Sequence, residues 1–317
     1  MTSHPCARLS GRQLLPVSLL ALALAGTPAA AQETPDALED VVVTAQRREQ
    51  GAQSVPIPIT ALSADRLADE AIVNLDRIGA AVPNLYLARN LGTSSGALVF
   101  LRGVGEGDSI FTNDPPVGIY VDDVILPRST GSLFDLIDIE RIEVLRGPQG
   151  TLYGRNTSGG AIKLVTTRPS FDAVGGLADV TVGSYGRFDA RGTLNLPLRP
   201  DLAVRVSGIS RQADGWGRNL TNGRRVNGQD VLGGRASLLW EPDADVSIYA
   251  TGDLTRDRSG PRFPQRFRPD PRNPGRFTNE FVAPDGDIDA FESADTDPLN
   301  RTNTGGASLR ADVRLGW

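Results

Sequence analysis

Carboxylates are the residues of this sequence best suited to chemistry. Two are adjacent, at Asp122 and Asp123, and four more follow at Asp135, Asp138, Glu140 and Glu143. Carboxylates held close together can act as acid and base in hydrolysis. Neighbouring residues of a strand point to opposite faces, however, so Asp122 and Asp123 cannot share one substrate there. We therefore interpret these acids as solvated or salt-paired structural residues.

The first 31 residues predict a secretory leader. Arg8 and Arg12 precede an apolar run from Leu14 to Ala25, and small residues surround Ala30 and Ala31. This order of charged, apolar and small residues is typical of a signal peptide cleaved after Ala31. The apolar run is too short to serve as a helical membrane anchor.

Loss of the leader removes the residues that most enzymes use. The chain has one Cys, one His and one Met, and these are Cys6, His4 and Met1. Cleavage therefore excludes Cys or His catalysis and His- or Cys-based metal sites. It also removes two of the 33 basic residues and none of the 38 acidic ones, so the acidic chain has no overall attraction for nucleic acid. We expect no enzyme, no cofactor, no metal site and no nucleic-acid partner.

One stretch, residues 135–169, organises the first half of the chain. Two strand-like runs, Ile139 to Leu145 and Ala161 to Thr167, flank a glycine-rich connection. Ile142 and Val144 alternate with charged neighbours, which predicts a strand with one more polar face. Charged side chains at this density should pair with one another or with a surrounding wall.

Upstream of this stretch the pattern is that of a small α+β domain over residues 52–169. Ser63 and Asn74 are placed to cap two helices, the second ended by Pro83. Strands are predicted at Leu98 to Arg102 and at Gly118 to Val124, the latter turning at Asp122 and Asp123. The GxGxG between these two strands lacks the crossover and acidic residue of a dinucleotide fingerprint, so we interpret it as a mobile loop.

From Leu177 onward the hydrophobic period changes to two. Clear alternation runs through Phe188 to Leu196, Val246 to Thr255 and Ala307 to Trp317, with noisier members at Leu177 to Val182, Leu202 to Gln212 and Val231 to Glu241. About six strands of about ten residues, with one apolar and one polar face, are typical of a transmembrane β-barrel with a polar lumen. Short turns are expected at Pro197 to Asp201 and Pro242 to Asp245. Long loops are expected at the opposite strand ends.

The run IERIEVLRGPQGTLYG, followed by GGAI, resembles the plug domain of TonB-dependent outer-membrane receptors. The resemblance implies an α+β plug followed by antiparallel transmembrane β-barrel strands. It divides the chain into a signal peptide (1–31), a flexible segment with the TonB box (32–51), a plug (52–169) and the N-terminal part of the barrel (174–317). Such receptors close 22 strands, so we expect this chain to be truncated and its barrel incomplete.

The resemblance also implies site residues. The β-prone run of Asp40, Val41, Val42, Val43 and Thr44 is similar to a TonB box, which would add a strand to TonB; an ordinary first strand of the domain is the alternative. Contacts between plug and barrel are assigned to Arg102, Glu143 and Arg146. The arginines of this family pair with glutamates on the barrel wall, which we expect to be missing here. A plug loop facing the ligand is assigned to Glu106, Asp108, Ser109, Phe111, Thr112 and Asn113.

The function implied is energised uptake of a scarce ligand, such as a ferric siderophore, across the outer membrane of a Gram-negative bacterium. TonB with ExbB and ExbD, outer-membrane lipid and lipopolysaccharide are the implied partners. A truncated, non-transporting plug with a partial barrel, at most a binding module, is the alternative. The arginine-rich segment from Arg256 to Arg276 can bind an anionic ligand, although we favour a solvated loop.

Overall fold

The computed structural model describes residues 42–48, 50–90, 95–107, 113–128, 136–219, 223–260, 267–269, 277–279, 290–291 and 300–315. The predicted signal peptide and two TonB-box residues, Asp40 and Val41, lie outside this part of the chain. So do Asp108, Ser109, Phe111 and Thr112 of the predicted ligand-facing loop.

The first part of the fold is a lead segment, residues 42–48, followed by a region from β2 to β10 that we call the plug. The lead segment contains strand β1 (Val42–Val43). The strands of the plug are β2 (Gln50–Gly51), β3 (Ile59–Ser63), β4 (Leu85–Arg89), β5 (Ala97–Leu101), β6 (Val104–Gly105), β7 (Val117–Val121), β8 (Val124–Leu126), β9 (Ile139–Arg146) and β10 (Gly160–Thr166). Its helices are α1 (Ala64–Asp69) and α2 (Gly150–Tyr153), with 3₁₀ turns at Ala52–Ser54 and Leu75–Ala80.

A five-stranded sheet in the order β3-β9-β10-β7-β8 forms the centre of the plug. The antiparallel pair β9–β10 confirms the two strands expected around the glycine-rich connection. Because side chains alternate across a strand, β9 sends Ile142 and Val144 to one face and Glu143 and Leu145 to the other. The first face packs on the larger apolar core with the helices, and the second packs on a smaller core that includes Val43 of the lead segment.

The turn between β7 and β8 consists of Asp122 and Asp123 alone, since Val121 pairs directly with Val124. Both aspartates have positive φ, 45° and 70°, as two-residue hairpins of this type require. The predicted turn is therefore confirmed. The two carboxylates are held apart by turn geometry rather than by the two faces of a strand.

The two predicted helix starts have different outcomes. Ser63 caps α1 as expected, its hydroxyl accepting from the backbone N–H of Arg66. The second helix is a 3₁₀ turn whose preceding residue, Asn74, makes no side-chain cap. The Asn74 amide oxygen instead accepts a hydrogen bond from Arg211, far along the chain. The Asn74 side chain therefore bonds to a distant arginine and not to the backbone N–H groups at the start of the 3₁₀ turn.

The second part of the fold is a six-stranded antiparallel sheet that we call the wall sheet. In chain order the remaining strands are β11 (Gly175–Gly183), β12 (Arg187–Arg199), β13 (Leu202–Ala213), β14 (Gly217–Asn219), β15 (Arg225–Val226), β16 (Gln229–Asp243), β17 (Val246–Asp257), β18 (Phe267–Pro269), β19 (Phe277–Asn279), β20 (Ala290–Phe291) and β21 (Thr302–Val313). The wall sheet has the order β11-β12-β13-β16-β17-β21. Its end strands do not pair with each other within the described residues, so the sheet is open there, as expected.

Two prolines lie inside wall strands, where the sequence predicted turns. Strand β12 continues through Pro197 to Arg199, and β16 continues through Pro242 to Asp243. The pairing register shifts at both places, between Pro197 and Arg199 and between Trp240 and Asp243. Proline has no N–H to donate, so a bulge accommodates it without losing the strand. The turns are consequently tighter than predicted.

None of the described helices is long and apolar enough to cross a membrane.

Candidate functional site

The wall sheet has its polarity reversed relative to a water-soluble sheet. Large apolar side chains on its outer face are exposed, including Val182 at 72%, Leu254 at 65% and Leu309 at 74%. The face toward the plug buries polar and charged groups instead, among them Arg211 and Arg235. An apolar outer face is stable only against a non-aqueous medium, as in the strands of a transmembrane barrel. The predicted alternation of faces is therefore confirmed.

Ion pairs attach the plug to the inner face of the wall sheet. The Arg205 guanidinium binds Asp138 through both nitrogens, Nε at 2.6 Å and Nη2 at 2.7 Å, and Ser207 Oγ donates to the same carboxylate at 2.6 Å. Burial alone would raise the pKa of Asp138, but the hydrogen bonds from Arg205 and Ser207 outweigh burial and lower that pKa. The two hydrogen bonds from Arg205 and the one from Ser207 therefore favour the charged form of this carboxylate.

A second attachment lies at the β7–β8 turn. Arg235 on β16 pairs with Asp122 and also donates to Thr166 Oγ1 at 3.0 Å. The next carboxylate, Asp123, lies 3.8 Å from the Arg310 guanidinium on β21. With the bond from Arg211 to Asn74, these contacts join the plug to strands β13, β16 and β21.

The polarity of these contacts was not part of the expectation from the family. Wall glutamates that pair with plug arginines were expected to be missing from this chain, and every plug–wall ion pair among the described residues joins a plug aspartate to a wall arginine. Arg146 donates to the carbonyl of Ile59 at 3.3 Å, inside the plug, and Arg102 is exposed. A role for these two arginines at the wall stays a prediction.

The assigned contact of Glu143 with the barrel stays a prediction, and its partners among the described residues lie in the plug and the lead segment. Its side chain is fully buried in the plug, 0% exposed. Its Oε1 accepts from the backbone N–H of Thr44 at 2.9 Å, from the Thr44 hydroxyl at 3.2 Å and from Arg141 Nε at 2.9 Å. Glu143 lies on the face of β9 that packs on the lead segment. Sequence alternation predicted the pairing with a neighbouring charge but gave no sign of Thr44.

The lead segment is docked on the plug by apolar contacts as well. Val43 and Ala45 are both fully buried in the smaller core. Strand β1 pairs with β2, Val42 opposite Gly51 and Val43 opposite Gln50. The Tyr153 hydroxyl donates to the Ala45 carbonyl at 2.8 Å. Burial, and then the charges of Glu143 and Asp123, raise the pKa of Tyr153, so this hydroxyl stays a donor.

The predicted ligand-facing loop is described only at its two ends. Both oxygens of the Glu106 carboxylate are buried and accept no hydrogen bond from the residues that the structure describes. At the other end the Asn113 carbonyl accepts from Arg128 Nη1 at 3.2 Å. The ligand-facing role of this loop, Glu106 and Asn113 included, remains a prediction.

A cavity of about 510 Å³ separates part of the plug from the wall sheet. Apolar side chains of β8, such as Val124 and Leu126, line one side. Arg235 and Asp253 of the wall strands line the other, and Arg128 is a further lining residue. The cavity shares Arg235 with the plug–wall contacts, so it belongs to the same interface.

Comparison with known proteins identifies a family for the plug and relatives for most of the chain. Residues 51–161 match the family described as TonB-dependent Receptor Plug Domain. The chain is 31% identical over 231 residues to the pesticin receptor of Yersinia pestis, covering 71% of this chain and 32% of that protein. It is 26% identical over 309 residues to the ferrioxamine B receptor of Salmonella typhimurium, covering 92% of this chain and 40% of that protein.

Solved structures share the fold. The ferric yersiniabactin uptake receptor of Yersinia pestis superposes with a TM-score of 0.69 at 24% identity, over 82% of this chain and 38% of that one. The ferripyoverdine receptor of Pseudomonas aeruginosa superposes with a TM-score of 0.61 at 14% identity, over 85% and 34%. The chain thus spans between a third and two fifths of the length of the proteins it matches.

Proposed function

The chain belongs to the TonB-dependent receptors, and from this premise we propose that it takes part in energised uptake of a scarce ligand, a ferric siderophore, across the outer membrane of a Gram-negative bacterium. The observation that carries the proposal is the plug itself, attached by ion pairs to the polar face of a sheet whose other face is apolar and exposed. That arrangement suits a gated lumen in a membrane. The family consists of receptors and transporters, so we infer a receptor without enzymatic activity of its own.

The ligand class is inferred from the relatives. Two relatives are named for pesticin and ferrioxamine B, and two solved structures for ferric yersiniabactin and ferripyoverdine. Three of these four names refer to iron chelates, so we propose a ferric siderophore as the cargo. The iron would be bound by its chelator, so this proposal requires no metal ligands from the chain itself.

The proposed partners follow from the same reasoning. We infer that Asp40, Val41, Val42, Val43 and Thr44 form the segment that pairs with TonB, which is in turn energised by ExbB and ExbD. The outer face of the wall sheet would contact outer-membrane lipid, and its loops lipopolysaccharide. Val42 is half-exposed in the docked lead segment, so a partner has access to it there.

A substitution in the lead segment tests TonB binding. Val42→Pro removes a backbone donor and should abolish capture of the chain by the C-terminal domain of TonB. Val174→Pro is the matched control, since Val174 is exposed and lies outside any strand. Equal capture of both variants and the unsubstituted chain would contradict the assignment of the segment.

Uptake is tested separately in a receptor-null strain supplied with radiolabelled ferric siderophores, including ferrioxamine B and ferric yersiniabactin. TonB-dependent accumulation of one chelate supports transport. Binding at the cell surface without accumulation would support the alternative of a non-transporting binding module.

A further inference from the structure

Two charged side chains of the plug are almost completely buried, and both contact the lead segment. Glu143 on β9 is 0% exposed and Lys163 on β10 is 2% exposed. The two residues are directly opposite in the antiparallel register, so their side chains lie on the same face of the sheet. Lys163 Nζ donates to the Thr44 hydroxyl at 2.6 Å, and Glu143 accepts from the Thr44 N–H at 2.9 Å.

The Thr44 side chain has its hydrogen-bonding capacity filled by these charges. Its hydroxyl donates to Glu143 Oε1 and accepts from Lys163 and, at 3.4 Å, from Arg141. A hydroxyl offers one donor and two acceptor positions, so all three are in use. Hydrogen bonds to charged groups are the strong ones in a protein interior. These hydrogen bonds to buried charged groups indicate that the lead segment is held on the plug at Thr44.

The Asp123 carboxylate connects Lys163 to the turn that contacts the wall sheet. Lys163 Nζ lies 2.8 Å from Asp123 Oδ1, an ion pair whose angles are outside hydrogen-bond geometry. Asp123 belongs to the two-residue turn whose other member, Asp122, is paired with Arg235 of the wall sheet. Asp123 also lies 3.8 Å from Arg310 of the wall sheet. One short turn therefore contacts the wall sheet through both of its carboxylates and the buried lysine through Asp123.

We propose that Glu143 and Lys163 are positioning residues that clamp Thr44 and hold the lead segment on the plug, and that Asp123 sets the strength of this clamp from the β7–β8 turn. Asp123 does not touch Thr44. Its charge compensates the burial of the lysine ammonium, which would otherwise be too costly to keep in place. When the turn moves away, Lys163 loses its nearest carboxylate, and the favourable response is withdrawal of the ammonium from Thr44.

The clamp gives the wall sheet a means of influencing the lead segment. Arg235 holds Asp122, and the adjacent Asp123 holds Lys163, so displacement of the turn weakens both contacts together. The biological meaning of this coupling rests on the proposed function, in which the lead segment binds TonB. The contacts themselves exist independently of TonB, which allows a test without it.

Hydrogen–deuterium exchange of the full chain in outer-membrane vesicles measures the clamp directly. In Lys163→Met and Glu143→Gln, amides of residues 42–48 should exchange about tenfold faster or more, the loss expected for one charge-assisted hydrogen bond. Asp123→Asn should accelerate the same amides, although Asp123 has no contact with them. Asp179→Asn is the matched control, because it removes an exposed ion pair with Arg191 elsewhere in the wall sheet, and it should change nothing.

Two further measurements separate the clamp from general loss of structure. Exchange of β9 and β10 must stay unchanged in each variant, which shows that the plug is still folded. Thr44→Val removes the clamped hydroxyl itself and is close in shape to threonine, so it should accelerate exchange of the lead segment without a buried unpaired charge. In the Thr44→Val background, Asp123→Asn should add little further acceleration.

Each result decides the proposal. Unchanged exchange of residues 42–48 in both Lys163→Met and Thr44→Val would overturn the clamp. Acceleration by Lys163→Met but not by Asp123→Asn, or full additivity of Asp123→Asn with Thr44→Val, would overturn the role of the turn. Failure of TonB capture with the exchange results as expected would instead contradict the proposed function and leave the clamp standing.

Discussion

Arg205→Met is the sharpest test of how the plug is held. The substitution keeps an apolar stem of similar length but removes the fork that binds Asp138 at 2.6 and 2.7 Å. The Asp138 side chain is 7% exposed and that of Arg205 18%, so solvent cannot replace the lost partner. The Ser207 hydroxyl remains, which limits the damage.

The expected cost follows from these contacts. Breaking one side of a buried ion pair costs about 3–5 kcal/mol, and one hydrogen bond to a charge contributes about 1.5–3 kcal/mol. Because Ser207 still donates to Asp138, we expect about 2–4 kcal/mol for undocking of this part of the plug. At about 1.4 kcal/mol for each factor of ten, exchange through the undocked state should accelerate roughly 30- to 700-fold.

The assay is amide exchange of peptides that cover residues 136–139 and 165–169. Thr167 reports directly, because its N–H donates to the Asp138 carbonyl at 2.9 Å. The matched control is Arg199→Met, which breaks an ion pair with Asp201 whose side chains are 56% and 33% exposed, and which we expect to have little effect. If Arg205→Met exchanged no faster than Arg199→Met, the buried pair would not hold the plug.

Two other outcomes are expected. The pKa of Asp138 is lowered in the folded chain, so the contribution of this carboxylate to stability is present above the unfolded pKa of about 4 and disappears as the pH falls through the lower folded value. Amide exchange at Thr167, corrected for intrinsic rates, should therefore accelerate below about pH 4. An exchange rate that did not change with pH would contradict the charged pair. Leu309→Arg places a charge on the outer face of β21, where the leucine is 74% exposed, and should destabilise the membrane-inserted state by about 2–4 kcal/mol in urea titrations of vesicle-bound protein. Thr304→Arg, on the inner face beside the cavity, is its control, and equal effects of the two would refute the assignment of the faces.

The sequence predicted most of the strands because their signals are local. The alternation of Ile142 and Val144 with charged residues is visible within a few positions, and so is the period of two in Phe188 to Leu196. The β7–β8 turn was predicted for the same reason. Boundaries were less accurate where a proline lies within a strand, since a bulge that absorbs Pro197 or Pro242 is decided by pairing with the neighbouring strand.

The contacts that form the candidate site were largely beyond sequence reasoning. Asn74 has the residue type and position of a helix cap, yet Arg211, more than a hundred residues later, takes its side chain. Thr44 and Glu143 are separated by 99 residues, and no periodicity relates them. The family resemblance led to the expectation that arginine–glutamate pairs would be missing here, but it gave no sign that aspartates of the plug would pair with arginines of the wall. Long-range pairing depends on the folded geometry and leaves no local pattern.

The hairpin of β1 with β2 has a mechanical consequence. A force applied to the chain before Val42 would load this two-residue pairing from one end, so its bonds would peel apart one after another instead of resisting together. The contacts of Thr44 with Glu143 on β9 and Lys163 on β10 would carry the load next. Once the lead segment is released from them, residues 45–58 connect the pulled end to β3. Pulled straight, those residues extend to about 50 Å, at about 3.3–3.6 Å for each. The released chain would therefore lengthen by tens of ångströms before β3 itself was loaded.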